Sequence, residues 1–220
     1  MLAKDLLSNN MTPLKTSDSG IMALSLMEEY KTTHLPIANS GIYFGLVSED
    51  DIYSYNHFEE AIGAHPISQA NISALANQHI YDILQMIHEN KLSLLPIVDE
   101  KNHYLGSVIS RELIVQLADI TGIVNPGGII ILEMNIHDYS LSEIAQIVES
   151  NNRKIINCYV GTFKESTKVE VTIKLNSVDI EAVLQTFIRY NYQIKASYTD
   201  VDLNENLTDR YDSLMNYLNI

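Results

Sequence analysis

The sequence is short of several things, and each shortage excludes something. It has one cysteine, Cys158, so no disulfide can form within the chain. Cys158 sits in the apolar run Ile155 to Val160 and reads as a buried core residue in a reducing cytoplasm. There are 14 lysines and arginines against 28 aspartates and glutamates, a net charge of −14, and the basic residues form no cluster. Nucleic-acid binding draws most of its affinity from cations that neutralise phosphates, so no nucleic acid and no anionic membrane is expected as a partner. A small anionic ligand remains compatible with this charge, because salt screens distant charges within about 10 Å. No apolar run approaches the roughly 18 residues of a membrane-spanning helix, and the opening MLAKDLLSNNM lacks the apolar centre of a signal peptide. Catalytic signatures are missing too: there is no H-E-x-x-H, no G-x-S-x-G and no Walker loop. The seven histidines are dispersed, and His57, Glu59 and His65 are too irregularly spaced to read as a metal site. The sequence thus predicts neither an enzyme nor a resident metal or cofactor.

What is present is a repeat. With Pro36 laid on Pro96, LSLMEEYKTTHLPIA lies on LQMIHENKLSLLPIV, and Leu24/Leu84, Glu29/Glu89, Lys31/Lys91, Leu35/Leu95 and Ile37/Ile97 are identical. One extra residue in the second loop brings Gly45 onto Gly106, Val47 onto Val108 and Asp51 onto Glu112. Each copy reads as a helix, two short strands and a second helix. Ser17-Asp18 supplies a helix start ahead of Ile21, Leu24 and Met27, while Ile80, Ile83, Leu84 and Ile87 fit i, i+3, i+4, i+7. The strands are expected at 35–38 and 42–47, then at 95–98 and 104–109, with second helices from Glu49 and Arg111. Neither copy is large enough to bury its own faces, so the two should pack into one module.

The h-P-h … G-h-h-S-x-x-D pattern, preceded by MTPLKTS and a helix, resembles the CBS motif over about residues 1–122. The resemblance implies a tandem pair with clefts for adenosine-containing ligands. It implies that Thr16 lies near the base, that Leu35, Pro36 and Ile37 wall it, and that Asp51 holds the ribose. His34, Gly45 and Ser48 complete this first candidate site. The residue types suit such a ligand. A serine at a strand-to-helix junction offers a hydroxyl and amides to a polar group, and a carboxylate one turn on can accept bonds from a diol. The same two residues would also serve as a plain helix cap and first-turn acid. The second copy departs from the pattern. Ala76, Ile109 and Glu112 stand where the first has Thr16, Ser48 and Asp51, leaving Ala76, Leu94, Pro96, Ser110, Arg111 and Glu112 as a degraded or differently used site. Glu49 and Asp50 stand beside Asp51, where nucleotide-binding members often carry a basic residue. That favours AMP, adenosine or an S-adenosylmethionine-like ligand over ATP, unless a cation crosses from the other repeat.

Asn125-Pro126-Gly127-Gly128 is a breaker cluster and the expected domain boundary. Beyond it come a β run at 129–135, the capping box Ser140-Leu141-Ser142-Glu143 with Leu141, Ile144, Ile147 and Val148 on one face, and a strand at 154–160. Val169, Val171, Ile173 and Leu175 then alternate inward, followed by a helix at 178–190 and a strand at 192–198. This βαββαβ order predicts a ferredoxin-like sheet. It resembles an ACT domain, a regulatory module that often binds amino acids, although NIHDYS replaces the usual glycine loop after the first strand. Leu207, Tyr211, Leu214 and Leu218 suggest an amphipathic C-terminal helix suited to packing or dimerisation. The whole order resembles acetoin-utilisation B-type proteins. The sequence thus predicts an α/β (α+β) chain: CBS motifs at 1–60 and 61–124, an ACT-like domain at 128–203 and a helix at 204–220. The expected role is a cytoplasmic, homodimeric, non-catalytic sensor of an adenosine compound. The alternatives are a sensor of amino acids or other small effectors acting through the ACT-like half, and a ligand-free dimerisation scaffold.

Overall fold

The computed structural model describes residues 1–8, 11–55, 57–67, 69–163 and 166–199. The segment at 204–220, with Leu207, Tyr211, Leu214 and Leu218, lies outside the described residues. The chain forms two compact units, Met1–Leu117 and Ala118–Ile220. Among the described residues no helix is long and apolar enough to cross a membrane.

The first unit opens with a short 3-10 turn at Ala3–Leu6 and continues with α1 (Gly20–Tyr30), β1 (His34–Asn39), β2 (Ile42–Ser48) and α2 (Glu49–Tyr53). The pattern then returns as β3 (Ala74–Leu75), α3 (Ile80–Asn90), β4 (Leu94–Val98), β5 (Tyr104–Ile109) and α4 (Ser110–Ile120), whose last turn falls past the boundary at Leu117. The α1 cap is Ser19, whose side chain accepts from Met22 N, and not the predicted Ser17-Asp18. Asp18 instead accepts from Lys15 N in the preceding turn. The inward face of α1 shifts accordingly: Gly20, Ala23 and Met27 are buried, while Ile21 is 53% exposed.

The two hairpins match residue for residue. In each, β1–β2 and β4–β5 run antiparallel and slip register after the proline segment, between Ile37 and Ala38 and between Ile97 and Val98. Opposite each slip stands a glycine at positive φ, Gly45 at 148° and Gly106 at 149°. Side chains rarely adopt this backbone, which accounts for the glycine in both copies. A parallel bridge from Leu14 to Ile37 in the first copy corresponds to the β3–β4 pairing in the second.

The copies are interlocked. Residues ahead of the first repeat serve the second: Ala3 N and Lys4 N donate to Gln78 O and Ala76 O, Ser8 N donates to Ser107 O, and Ala3 and Leu6 are buried in the second repeat's core. The linker between repeats returns to the first, where Ile62 N, Gly63 N and Leu46 N bond Asp18 O, Thr16 O and Gln69 O.

The second unit contains β6 (Ile129–Asn135), α5 (Leu141–Ser150), β7 (Ile155–Thr162), β8 (Lys168–Leu175), α6 (Glu181–Arg189) and β9 (Gln193–Tyr198). The sheet order is β7-β8-β6-β9 and every neighbouring pair is antiparallel, which is the predicted ferredoxin-like topology. Val169, Val171, Ile173 and Leu175 are buried, and α5 and α6 add Ile144, Ile147, Val148, Val183 and Phe187 to the same core. Burying a side chain such as Phe187 contributes about 1.5–3 kcal/mol. Ser140 caps α5 as expected, but Leu141 is exposed. Cys158 is half-buried at the edge of this core rather than inside it.

Candidate functional site

The junction of β2 and α2 is fixed by its own side chains. Asp51 N donates to Ser48 Oγ at 3.0 Å, while Ser48 N and Ser48 Oγ donate to Asp51 Oδ2 at 2.9 and 2.7 Å. Glu49 N donates to Thr33 O at 2.9 Å. The reciprocal cap thus engages Ser48 N, Asp51 N and Asp51 Oδ2 at this five-residue helix, and leaves Ser48 Oγ able to accept but not to donate.

His34 stands opposite Ser48 in the hairpin register and is 8% exposed. Its Nδ1 lies 3.1 Å from both Thr33 Oγ1 and Ser93 Oγ, and Ser93 Oγ accepts from Thr33 N at 3.0 Å. Ser93 belongs to the second repeat, so this small polar cluster ties the two copies together. Burial pushes the His34 pKa down, against the opposing pull of Asp51 and Asp50, so the imidazole is neutral at neutral pH.

Beside this cluster opens a cavity of about 360 Å³, lined by Thr33, His34, Ser48, Glu49, Asp50 and Gln69 together with Asn90 and Lys91. Both repeats contribute. Gln69 Oε1 is buried and has no hydrogen-bond partner among the described residues. A buried acceptor left unpaired is costly, and a donor from a ligand would satisfy it. Lys91 is the only lysine or arginine among the described residues that line this cleft.

The other predicted residues lie around this cleft rather than in it. Thr16 exchanges bonds with Asn39: its N donates to Asn39 Oδ1 at 3.1 Å and its Oγ1 accepts from Asn39 Nδ2 at 2.7 Å. Leu35, Pro36 and Ile37 are buried, and Pro36 O accepts from Leu14 N at 2.8 Å. Gly45 is covered by the linker; a Cβ there would meet Ile67 at 2.6 Å and Ala70 Cα at 2.9 Å. Asp51 does not line the cleft and acts on it through Ser48.

In the second copy Leu94 and Pro96 are buried, Ala76 O accepts from Lys4 N, and Ser110 N and Oγ both donate to Ser93 O. Arg111 and Glu112 are exposed. Leu7 lies against Gly106, and the space beside Glu112 is a cavity of about 100 Å³ lined by Asp5, Leu6, Leu7, Val108, Leu113 and Gln116. That is room for roughly three waters.

The sequence pattern missed Thr33, Gln69, Asn90 and Lys91. Thr33 adjoins the predicted His34, and Lys91 matches Lys31 in the repeat alignment, but their meeting across repeats has no local signature. His65 stacks on Tyr55 with ring centroids 3.7 Å apart and lies 3.4 Å from Glu60, within the linker.

A CBS domain family model matches residues 3–57 and again 67–119. A homoserine O-acetyltransferase from Methanocorpusculum labreanum is 26% identical over 51% of this chain but only 23% of its own length. The chain thus spans less than a quarter of that enzyme. The CBS domain-containing protein YhcV of Bacillus subtilis is 24% identical over 51% of this chain and 82% of its own. A CBS domain pair/ACT domain protein of Thermotoga maritima superposes with a TM-score of 0.49 at 19% identity, over 54% of this chain and 98% of that one.

Proposed function

Because the chain carries two CBS domains in tandem, we propose that it is a non-catalytic regulatory protein whose first-repeat cleft senses an adenosine-containing compound such as AMP, adenosine or an S-adenosylmethionine-like molecule. The observation that carries this reading is the 360 Å³ cleft with its buried, unpartnered Gln69 Oε1. Its volume falls within the roughly 300–1,000 Å³ of small-molecule sites. Ser48 Oγ, its hydrogen held by Asp51, and Gln69 Oε1 both offer acceptors to a ribose hydroxyl or an exocyclic amine. Glu49 and Asp50 oppose a long polyphosphate. The acetyltransferase match ends well short of a whole enzyme and is compatible with a regulatory segment. We further propose a cytoplasmic homodimer.

A second reading has its own observation. In the ferredoxin-like unit a cavity of about 380 Å³ is lined by Glu133, Asn135, Asp138, Glu143 and Tyr192, partly from the NIHDYS loop. Burial first, and then Glu143, pushes the Tyr192 hydroxyl up to about 12, so it stays a donor. This is where an ACT-like domain would take an amino acid or another small effector.

Thermal shift separates the readings. Ligand at 100 times its dissociation constant adds about 2.7 kcal/mol to stability. The adenosine reading expects AMP, adenosine or S-adenosylmethionine to raise the melting temperature and free amino acids to leave it unchanged. The reverse result supports the second cavity, and no response to either supports a ligand-free scaffold.

A further inference from the structure

We propose that Lys91 of the second repeat is the residue that selects an anionic group, a single phosphate on the nucleoside, in the cleft of the first. This rests on the adenosine reading and assigns the anion's place within that site. The junction of β2 and α2 is a poor anion site: Glu49 N and Asp51 N are bonded to Thr33 O and Ser48 Oγ, and Glu49 and Asp50 bring negative charge. The only lysine or arginine among the described residues lining the cleft is Lys91, which the second repeat supplies.

The repeat provides an internal control. Lys31 and Lys91 occupy the same place at the ends of α1 and α3, both at left-handed backbone angles, with φ of 54° and 52°. Lys31 is already engaged: its Nζ bonds Glu28 Oε1 at 2.8 Å, three residues back. In the second copy His88 stands where Glu28 stands in the first, and Lys91 forms no ion pair among the described residues. An ammonium with no carboxylate partner, at the rim of a cleft that opens on the first repeat, is free to meet an anion. One ammonium matches one phosphate; a longer chain of phosphates would meet Glu49 and Asp50.

The test compares AMP with adenosine by titration calorimetry on the full chain, for wild type, Lys91→Met, His88→Glu and Lys31→Met. Lys91→Met should weaken AMP by roughly tenfold and adenosine by less than about twofold, the loss of one charge-assisted contact. His88→Glu should act in the same direction without removing the lysine, because it recreates the pairing seen at Glu28–Lys31. Lys31→Met should leave the ratio of the two affinities unchanged. The wild-type preference for AMP should also shrink as salt rises. Equal losses for AMP and adenosine, or a ratio that neither Lys91→Met nor His88→Glu alters, would overturn the assignment while leaving the adenosine reading intact. Failure of wild type to bind adenosine itself would overturn both.

Discussion

The two CBS repeats share a backbone and differ in what they do with it. Both hairpins carry a bulge, a positive-φ glycine and a buried Leu-Pro-Ile segment. In the first, Ser48 and Asp51 lock a short helix and a cleft of about 360 Å³ stays open beside them. In the second, Ile109 is buried where Ser48 stands, and the cavity beside Glu112, about 100 Å³ and lined by Leu6 and Leu7, is formed by other positions than the first repeat's cleft. The scaffold has thus been kept twice and the polar lining once. Symmetry of fold does not carry symmetry of function, because a cleft depends on side chains that the backbone does not dictate.

The sharpest way to break this comparison is through the two glycines. Gly45→Ala forces a Cβ against Ile67 and the backbone of Ala70, whereas Gly106→Ala meets Leu7 Cδ2 at 3.2 Å. Both substitutions impose backbone strain of about 1–3 kcal/mol. Gly45→Ala adds overpacking of roughly 1–3 kcal/mol against atoms that cannot swing away. Urea unfolding should therefore find Gly45→Ala the more damaging of the pair; equal losses would show that the linker gives way as easily as Leu7.

A smaller effect is expected at Ser48. Ser48→Ala removes the cap of α2 and the hydroxyl that Asp51 holds, costing about 0.5–2 kcal/mol. Ser110→Ala should cost less, because Ser110 N still bonds Ser93 O when the hydroxyl is gone. Unfolding midpoints of the two variants measure the difference.

The smallest effect is a pH dependence. His34 has a folded-state pKa below its usual value because it is buried. The unfolded chain then binds the proton more tightly, so acidification below about 6.5 removes stability and the loss grows as pH falls towards the folded pKa. His34→Gln should flatten this part of the stability profile relative to wild type. A profile unchanged by the substitution would mean that the imidazole is not held neutral.

Much of the fold is legible in the sequence because it repeats or alternates. The aligned prolines mark both hairpins, and strict alternation from Val169 to Leu175 marks the central strand β8. Helix starts are less legible, since Ser17, Asp18 and Ser19 are all competent caps and only the packing of Gly20 and Ala23 selects Ser19. The cleft is half legible. His34 and Ser48 follow from the motif, but Gln69 and Lys91 come from the linker and the other repeat. Nothing in local spacing reports a meeting of residues from separate repeats, and the identity of Lys31 and Lys91 conceals that one is paired and the other is not.

Stoichiometry tests the claim of one polar cleft in two like repeats most directly. Titration of AMP into the full chain should give one equivalent per chain. Gln69→Leu should abolish or strongly weaken that binding while leaving the stability of the ligand-free protein unchanged or raised, because it removes a buried acceptor with no partner among the described residues. Two equivalents per chain, or full binding by Gln69→Leu, would contradict the account.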